Sequence, residues 1–139
     1  LLIAGIVQDR AYFEQLVEPR LDGVRASYLG PVGADRRAAL LGDAVALLHL
    51  IQFDEPFGFS VVEAMACGTP VIARRRGSMP EIVHHGEGGF LVDTLDEAVA
   101  AARRVGELDR RAVRASVEQR FDVRRMVDDY VTLYREVVR

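Results

Sequence analysis

The chain has 139 residues, half of them hydrophobic and 28% charged, a balance that suits one globular domain and leaves little room for two. Its formal charge is −3 with arginines scattered from end to end, which excludes the basic stripe of a nucleic-acid binder. All 18 basic residues are arginine, so these residues cannot supply a P-loop lysine, a pyridoxal Schiff base or the lysine of a receiver domain.

In chain order, residues 1–7 (LLIAGIV) read as a buried strand and residues 9–19 as a helix. Residues 24–30 (VRASYLG) read as a second strand. Residues 34–43 (ADRRAALLGD) carry apolar side chains at three-to-four spacing and predict a helix. Residues 44–50 (AVALLHL) form the third strand, and a helix is predicted from about Phe57 to Cys67, ended by Gly68 with Pro70 forbidding its continuation. Residues 70–75 (PVIARR) are the fourth strand, 78–85 (SMPEIVHH) a short helix with Ser78 as its cap, and 88–92 (GGFLV) the fifth strand.

These strands are continuous apolar runs, the pattern of strands covered on both faces. Their alternation with helices predicts an α/β fold, a Rossmann-like doubly wound parallel sheet. From residue 94 onward the pattern is helical only, with helices at 95–108, 109–120 and 122–138, the last capped by Asp122. Val123, Met126, Val127, Tyr130, Val131 and Tyr134 form an apolar stripe along that last helix, expected to pack on the sheet or on a neighbour.

The segment DEPFGFSVVEAMACGTPVIA, residues 54–73, holds the chemistry. In open parallel sheets ligands bind beyond the carboxyl ends of the strands, where helix amino termini point. A helix starting near Phe57 leaves the amides of Phe57, Gly58, Phe59 and Ser60 without intrahelical acceptors, a site for an oxyanion such as a phosphate. Glu55 lies just ahead of that end. Glu63 lies within the helix, where side chains lean back toward the amino terminus.

Two carboxylates repel a phosphate but accept hydrogen bonds from hydroxyls, so a diphosphate flanked by polyol groups, as in a nucleotide-sugar, suits the pair. Attraction to the helix dipole alone accounts for Glu55, at about 0.3–1 kcal/mol. It does not account for Glu63 amid Val61, Val62, Ala64 and Met65, where an ionised carboxylate needs a partner. His49 reads either as a ligand-edge residue or as a satisfied strand-end histidine. The triplet Arg74-Arg75-Arg76 reads either as a solvated strand end or as a place for an anionic ligand or acceptor. Cys67 is expected to fill core space, and His84-His85 to lie on the surface.

Glu55-x₇-Glu63, continued by EAMACGTPVIA, GSMPEIV and GEGGFLV, resembles the nucleotide-binding, C-terminal half of GT-B fold glycosyltransferases of the retaining family 4, glycosyl transferases group 1. The similarity runs from residue 1 to about residue 93 and is dense from 54 onward. It implies that residues 1–139 are a nucleotide-sugar-binding domain, with 94–139 a helical C-terminal segment. Glu55 would be the catalytic-face residue touching donor-sugar hydroxyls, and Glu63 would hold the ribose. The amides of Phe57, Gly58 and Phe59 would face the donor sugar and diphosphate, and Gly30, Pro31 and Val32 would border the base. The resemblance also implies UDP, GDP or a similar nucleotide in the donor, anomeric retention and no metal ion.

The chain opens within a strand-like run and without an initiator methionine. It is therefore expected to be a fragment whose first strand, diphosphate-gripping Arg and Lys, and N-terminal acceptor domain lie upstream. Alone it is expected not to turn over. With no signal peptide and no membrane-length apolar run, a cytoplasmic location is expected. The alternatives are a non-catalytic nucleotide-sugar-binding or interaction domain of the same fold, and a sugar-nucleotide epimerase.

Overall fold

The computed structural model describes residues 1–138, which fall into two compact units, residues 1–37 and the residues from Ala38 onward. In the first unit, strand β1 (Leu2–Ile3) pairs in parallel with β2 (Ser27–Tyr28), Leu2 opposite Ser27. Between them helix α1 (Arg10–Tyr12), capped by Asp9, continues as a π turn over Phe13–Val17 and a 3₁₀ turn over Glu18–Arg20. The Asp22 carboxylate accepts bonds from the amides of Val24, Arg25 and Ala26, which lower its pKa and shape the turn into β2. Helix α2 (Ala34–Asp43) starts in this unit and ends in the next.

The second unit holds a three-stranded parallel sheet in the order β3 (Leu47–His49), β4 (Val71–Arg74) and β5 (Gly89–Val92). The register pairs His49 with Ala73 and Val71 with Gly89. Helices α3 (Phe59–Ala66) and α4 (Met79–Ile82) make the crossovers. On one face Val71, Ala73 and Leu91 pack with Val61, Ala64 and Met65 of α3, Met79 and Ile82 of α4, and Val113 and Val117 of α6 (Arg110–Arg120). On the other face Ile72, Phe90 and Val92 meet Ala98 and Ala101 of α5 (Leu95–Arg104) and Val105 just beyond it. Alternate residues of β4 and β5 thus enter two separate cores, which is why these strands read as unbroken apolar runs.

Of the five expected strands, β1 and β2 form one ladder and β3, β4 and β5 form another. Arginine does the tying between elements. Arg110 donates to the carbonyls of Gly42 and Ala44 and to Thr69 Oγ1, and Arg120 donates to the Glu81 and Ile82 carbonyls at the end of α4. Helix α7 (Val123–Val137) is capped by Asp122 as predicted, but its apolar stripe does not pack on the sheet. No residue of α7 is buried, and the exposure of its large apolar side chains runs from 38% at Val131 to 75% at Val137. Among the described residues no helix is long and apolar enough to cross a membrane.

Candidate functional site

The loops after β3, β4 and β5 all leave the carboxyl ends of parallel strands, the edge at which open α/β sheets take ligands. The loop after β3 carries Glu55 and leads into α3. This helix begins at Phe59, two residues later than the sequence predicts, with Gly58 as its N-cap. The delay has a backbone cause: Gly58 sits at φ +94°, outside the helical region and open only to a residue without Cβ.

Glu55 is half-buried, and its Oε1 accepts hydrogen bonds from the amides of Gly58 at 3.2 Å and Phe57 at 3.5 Å. The carboxylate is therefore folded back over the helix start, where the dipole favours negative charge. Two of the three amides singled out in the sequence face Glu55 itself. The third, that of Phe59, is the first of the helix and has no intrahelical acceptor; the same holds for Ser60. Glu63 lies in the second turn of α3 and is half-buried, flanked by buried Ala64 and Met65. Gly30, Pro31 and Val32 follow β2 in the first unit, where the Gly30 carbonyl accepts from the Gly5 amide at 3.0 Å and Tyr28 donates its hydroxyl to the Gly5 carbonyl.

The turn after β4 holds the Glu55 loop from the side. The Ser78 amide donates to the Glu55 carbonyl at 2.9 Å, and the Ser78 hydroxyl donates to the Phe57 carbonyl at 2.8 Å. Ser78 is thus not the side-chain cap of α4 that its position suggests, because its hydroxyl is committed to the neighbouring loop. Arg76 pairs with Asp54 at 2.9 Å and also donates to the Gln52 carbonyl. Arg75 meets Asp93 at 3.3 Å and the Leu91 carbonyl, and Arg74 reaches the Asp93 carbonyl at 2.7 Å. The arginine triplet is therefore committed to protein acceptors at this edge. The sequence signals this only through the GSMP string and the charge run, neither of which names a partner some twenty residues away.

His49, at the end of β3, is 9% exposed, and among the described residues its Nε2 has no hydrogen-bond partner. This is not the satisfied histidine of one reading. Burial pushes its pKa below the ordinary 6.5, while the negative charge of Glu55 pulls the other way. A neutral imidazole in the fold means that below 6.5 the unfolded chain binds more protons, so stability is full above that pH and declines as pH falls toward the lowered folded value. His49→Leu removes an orphaned polar atom and is expected to raise stability by about 1 kcal/mol. It should also flatten the acid decline, as read from urea midpoints at about pH 7.5 and about pH 5.5. His84 and His85 are exposed as expected, His85 Nδ1 accepting from the Leu91 amide. Cys67 is half-buried at the end of α3, less enclosed than a core filler.

The family model for "Glycosyl transferases group 1" matches residues 1–116. The chain is 33% identical to the N-acetyl-alpha-D-glucosaminyl L-malate synthase of Bacillus anthracis, over all of its own length and 38% of that protein. Among solved structures it resembles a glycosyltransferase involved in Avilamycin A biosynthesis, at TM-score 0.80 and 28% identity, over 99% of this chain and 43% of the other. It also resembles the Anabaena protein HepE in complex with UDP-glucose, at TM-score 0.74 and 25% identity, over 97% of this chain and 40% of the other. The chain thus spans well under half the length of these relatives.

Proposed function

The chain belongs to the glycosyl transferases group 1 family, and we propose that it is the donor-binding part of a retaining glycosyltransferase that moves a sugar from a nucleoside diphosphate sugar to an acceptor. The observation that carries this reading is the Glu55 carboxylate folded over the start of α3 at the carboxyl edge of the sheet, with Glu63 further along the same helix. Glu55 accepts hydrogen bonds from donor-sugar hydroxyls and Glu63 from the ribose. The Phe57 and Gly58 amides hold the Glu55 carboxylate beside the sugar, and the Phe59 and Ser60 amides, which have no intrahelical acceptors, face the diphosphate. The bond between the sugar's anomeric carbon and the diphosphate oxygen breaks. The acceptor oxygen bonds to that carbon on the same face, and the acceptor's proton passes to the departing diphosphate. Amides aimed at the diphosphate stabilise the charge that grows there, the logic of an oxyanion hole. The reaction in this form uses no metal ion.

The acceptor site belongs, in this proposal, to an N-terminal part outside these residues, consistent with relatives more than twice as long. The proposal includes a cytoplasmic location, which the free thiol of Cys67 suits and subcellular fractionation checks.

Calorimetric titration with UDP, GDP and ADP tests the pocket. Glu63→Ala is expected to weaken the preferred nucleotide by about tenfold, the loss of charge-assisted bonds to two hydroxyls. Equal affinity in both proteins would remove the ribose role of Glu63.

A further inference from the structure

We propose that Arg76 is a positioning residue for Glu55, locking the loop after β3 so that its carboxylate and the Phe57 and Gly58 amides hold one geometry. The inference rests on the donor-site reading of Glu55 given above.

Four observations converge on it. Arg76 spans the loop, pairing with the Asp54 carboxylate at 2.9 Å and donating to the Gln52 carbonyl, so the residues before Glu55 are gripped at two points. Ser78 grips Glu55 and Phe57 through their carbonyls, with its amide and its hydroxyl. Gly77, between them, approaches so closely that a Cβ there would stand 2.6 Å from both the amide nitrogen and the carbonyl oxygen of Glu55. Finally, the side chains of Arg76 and Asp54 are 40% and 72% exposed, and an ion pair so open to water contributes little to folding. A bond of small worth to stability, placed on the loop that carries Glu55, acts through geometry.

The fork of the guanidinium matters, since one side chain must serve a carboxylate and a carbonyl together. A lysine ammonium serves one partner well and the other poorly. The groups held are those that meet the sugar half of the donor, so the residue should influence the sugar more than the nucleotide.

Two measurements on the protein test this. The first is the amide ¹H–¹⁵N spectrum without ligand, in which Arg76→Ala is expected to shift the Phe57 and Gly58 resonances in the direction that Glu55→Ala shifts them. The second is calorimetry with UDP and UDP-glucose. Arg76→Ala should weaken UDP-glucose by about tenfold and UDP by less than about twofold, with the thermal midpoint near that of wild type; Arg76→Lys should recover part of the loss. Unmoved Phe57 and Gly58 resonances, or equal weakening of UDP and UDP-glucose, would overturn the positioning role. Shifted resonances with UDP-glucose affinity unaffected by Glu55→Ala would instead overturn the donor reading and leave the positioning intact.

Discussion

Gly89→Ala is expected to cost about 4 kcal/mol or more, enough to leave the second unit largely unfolded. Gly89 opens β5 and lies opposite Val71 in the parallel ladder. A Cβ at Gly89 would stand 2.0 Å from the Val71 carbonyl oxygen and 2.8 Å from its carbonyl carbon. Both are backbone atoms of the fully buried Val71, so no side chain can turn aside. Relief requires β4 and β5 to part or slip. A slip of one residue would exchange Ile72 and Ala73 between the two cores. Gly106→Ala is the control: nothing lies within 4 Å of a Cβ there, and its effect should stay within about 0.5 kcal/mol. Urea denaturation followed by circular dichroism separates the two, and a Gly89→Ala protein with a wild-type midpoint would show that the ladder does not run through Gly89 as described.

That ladder also shows what the sequence makes legible. Val71, Ile72 and Ala73 are consecutive and all fully buried, and an unbroken apolar run is how a strand between two helical layers must read. Element type and order follow from such runs and from three-to-four spacing, as at α2. The ends do not. β1 and β2 pair over two residues each within seven-residue runs, since apolar character marks what is buried or sticky and not where a partner strand stops.

Side-chain roles are legible only when the partner is local. Asp122 caps α7 through an amide two residues on, which the sequence shows. Ser78 looks like the same kind of cap, yet its hydroxyl goes to Phe57, 21 residues away. Arg76 and Asp54, 22 residues apart, are equally invisible. The stripe on α7 marks the opposite limit, because period reveals that a face is amphipathic but not what covers it. At the candidate site, the sequence locates the Glu55–Glu63 segment at a helix start, while the bonds from Phe57 and Gly58 to Glu55 depend on the positive φ of Gly58 that delays the helix.

Gly77→Ala carries the second large effect, and it couples stability to ligand. Gly77 sits at φ +55°, where an alanine costs about 1–2 kcal/mol from backbone sterics alone. Its Cβ would also press on Glu55 N and O at 2.6 Å and on the Asp54 carbonyl carbon at 3.0 Å. The strained neighbours are main-chain atoms of the very residue assigned to the donor sugar. The chain must therefore either bear the overlap or move Glu55 outward, losing the bond from the Ser78 amide to the Glu55 carbonyl. The expected result is a loss of about 2–4 kcal/mol in stability and more than about tenfold in UDP-glucose affinity, since a displacement near 1 Å at a positioned group is costly. Gly86→Ala isolates the backbone contribution: its φ is +86° but nothing lies within 4 Å, so it should cost about 1–2 kcal/mol and leave UDP-glucose affinity unchanged. Denaturant midpoints and calorimetric titration of both variants decide the matter. If Gly77→Ala matches Gly86→Ala on both measures, the turn after β4 does not bear on Glu55 in solution, and the clasp around the candidate donor site is not there.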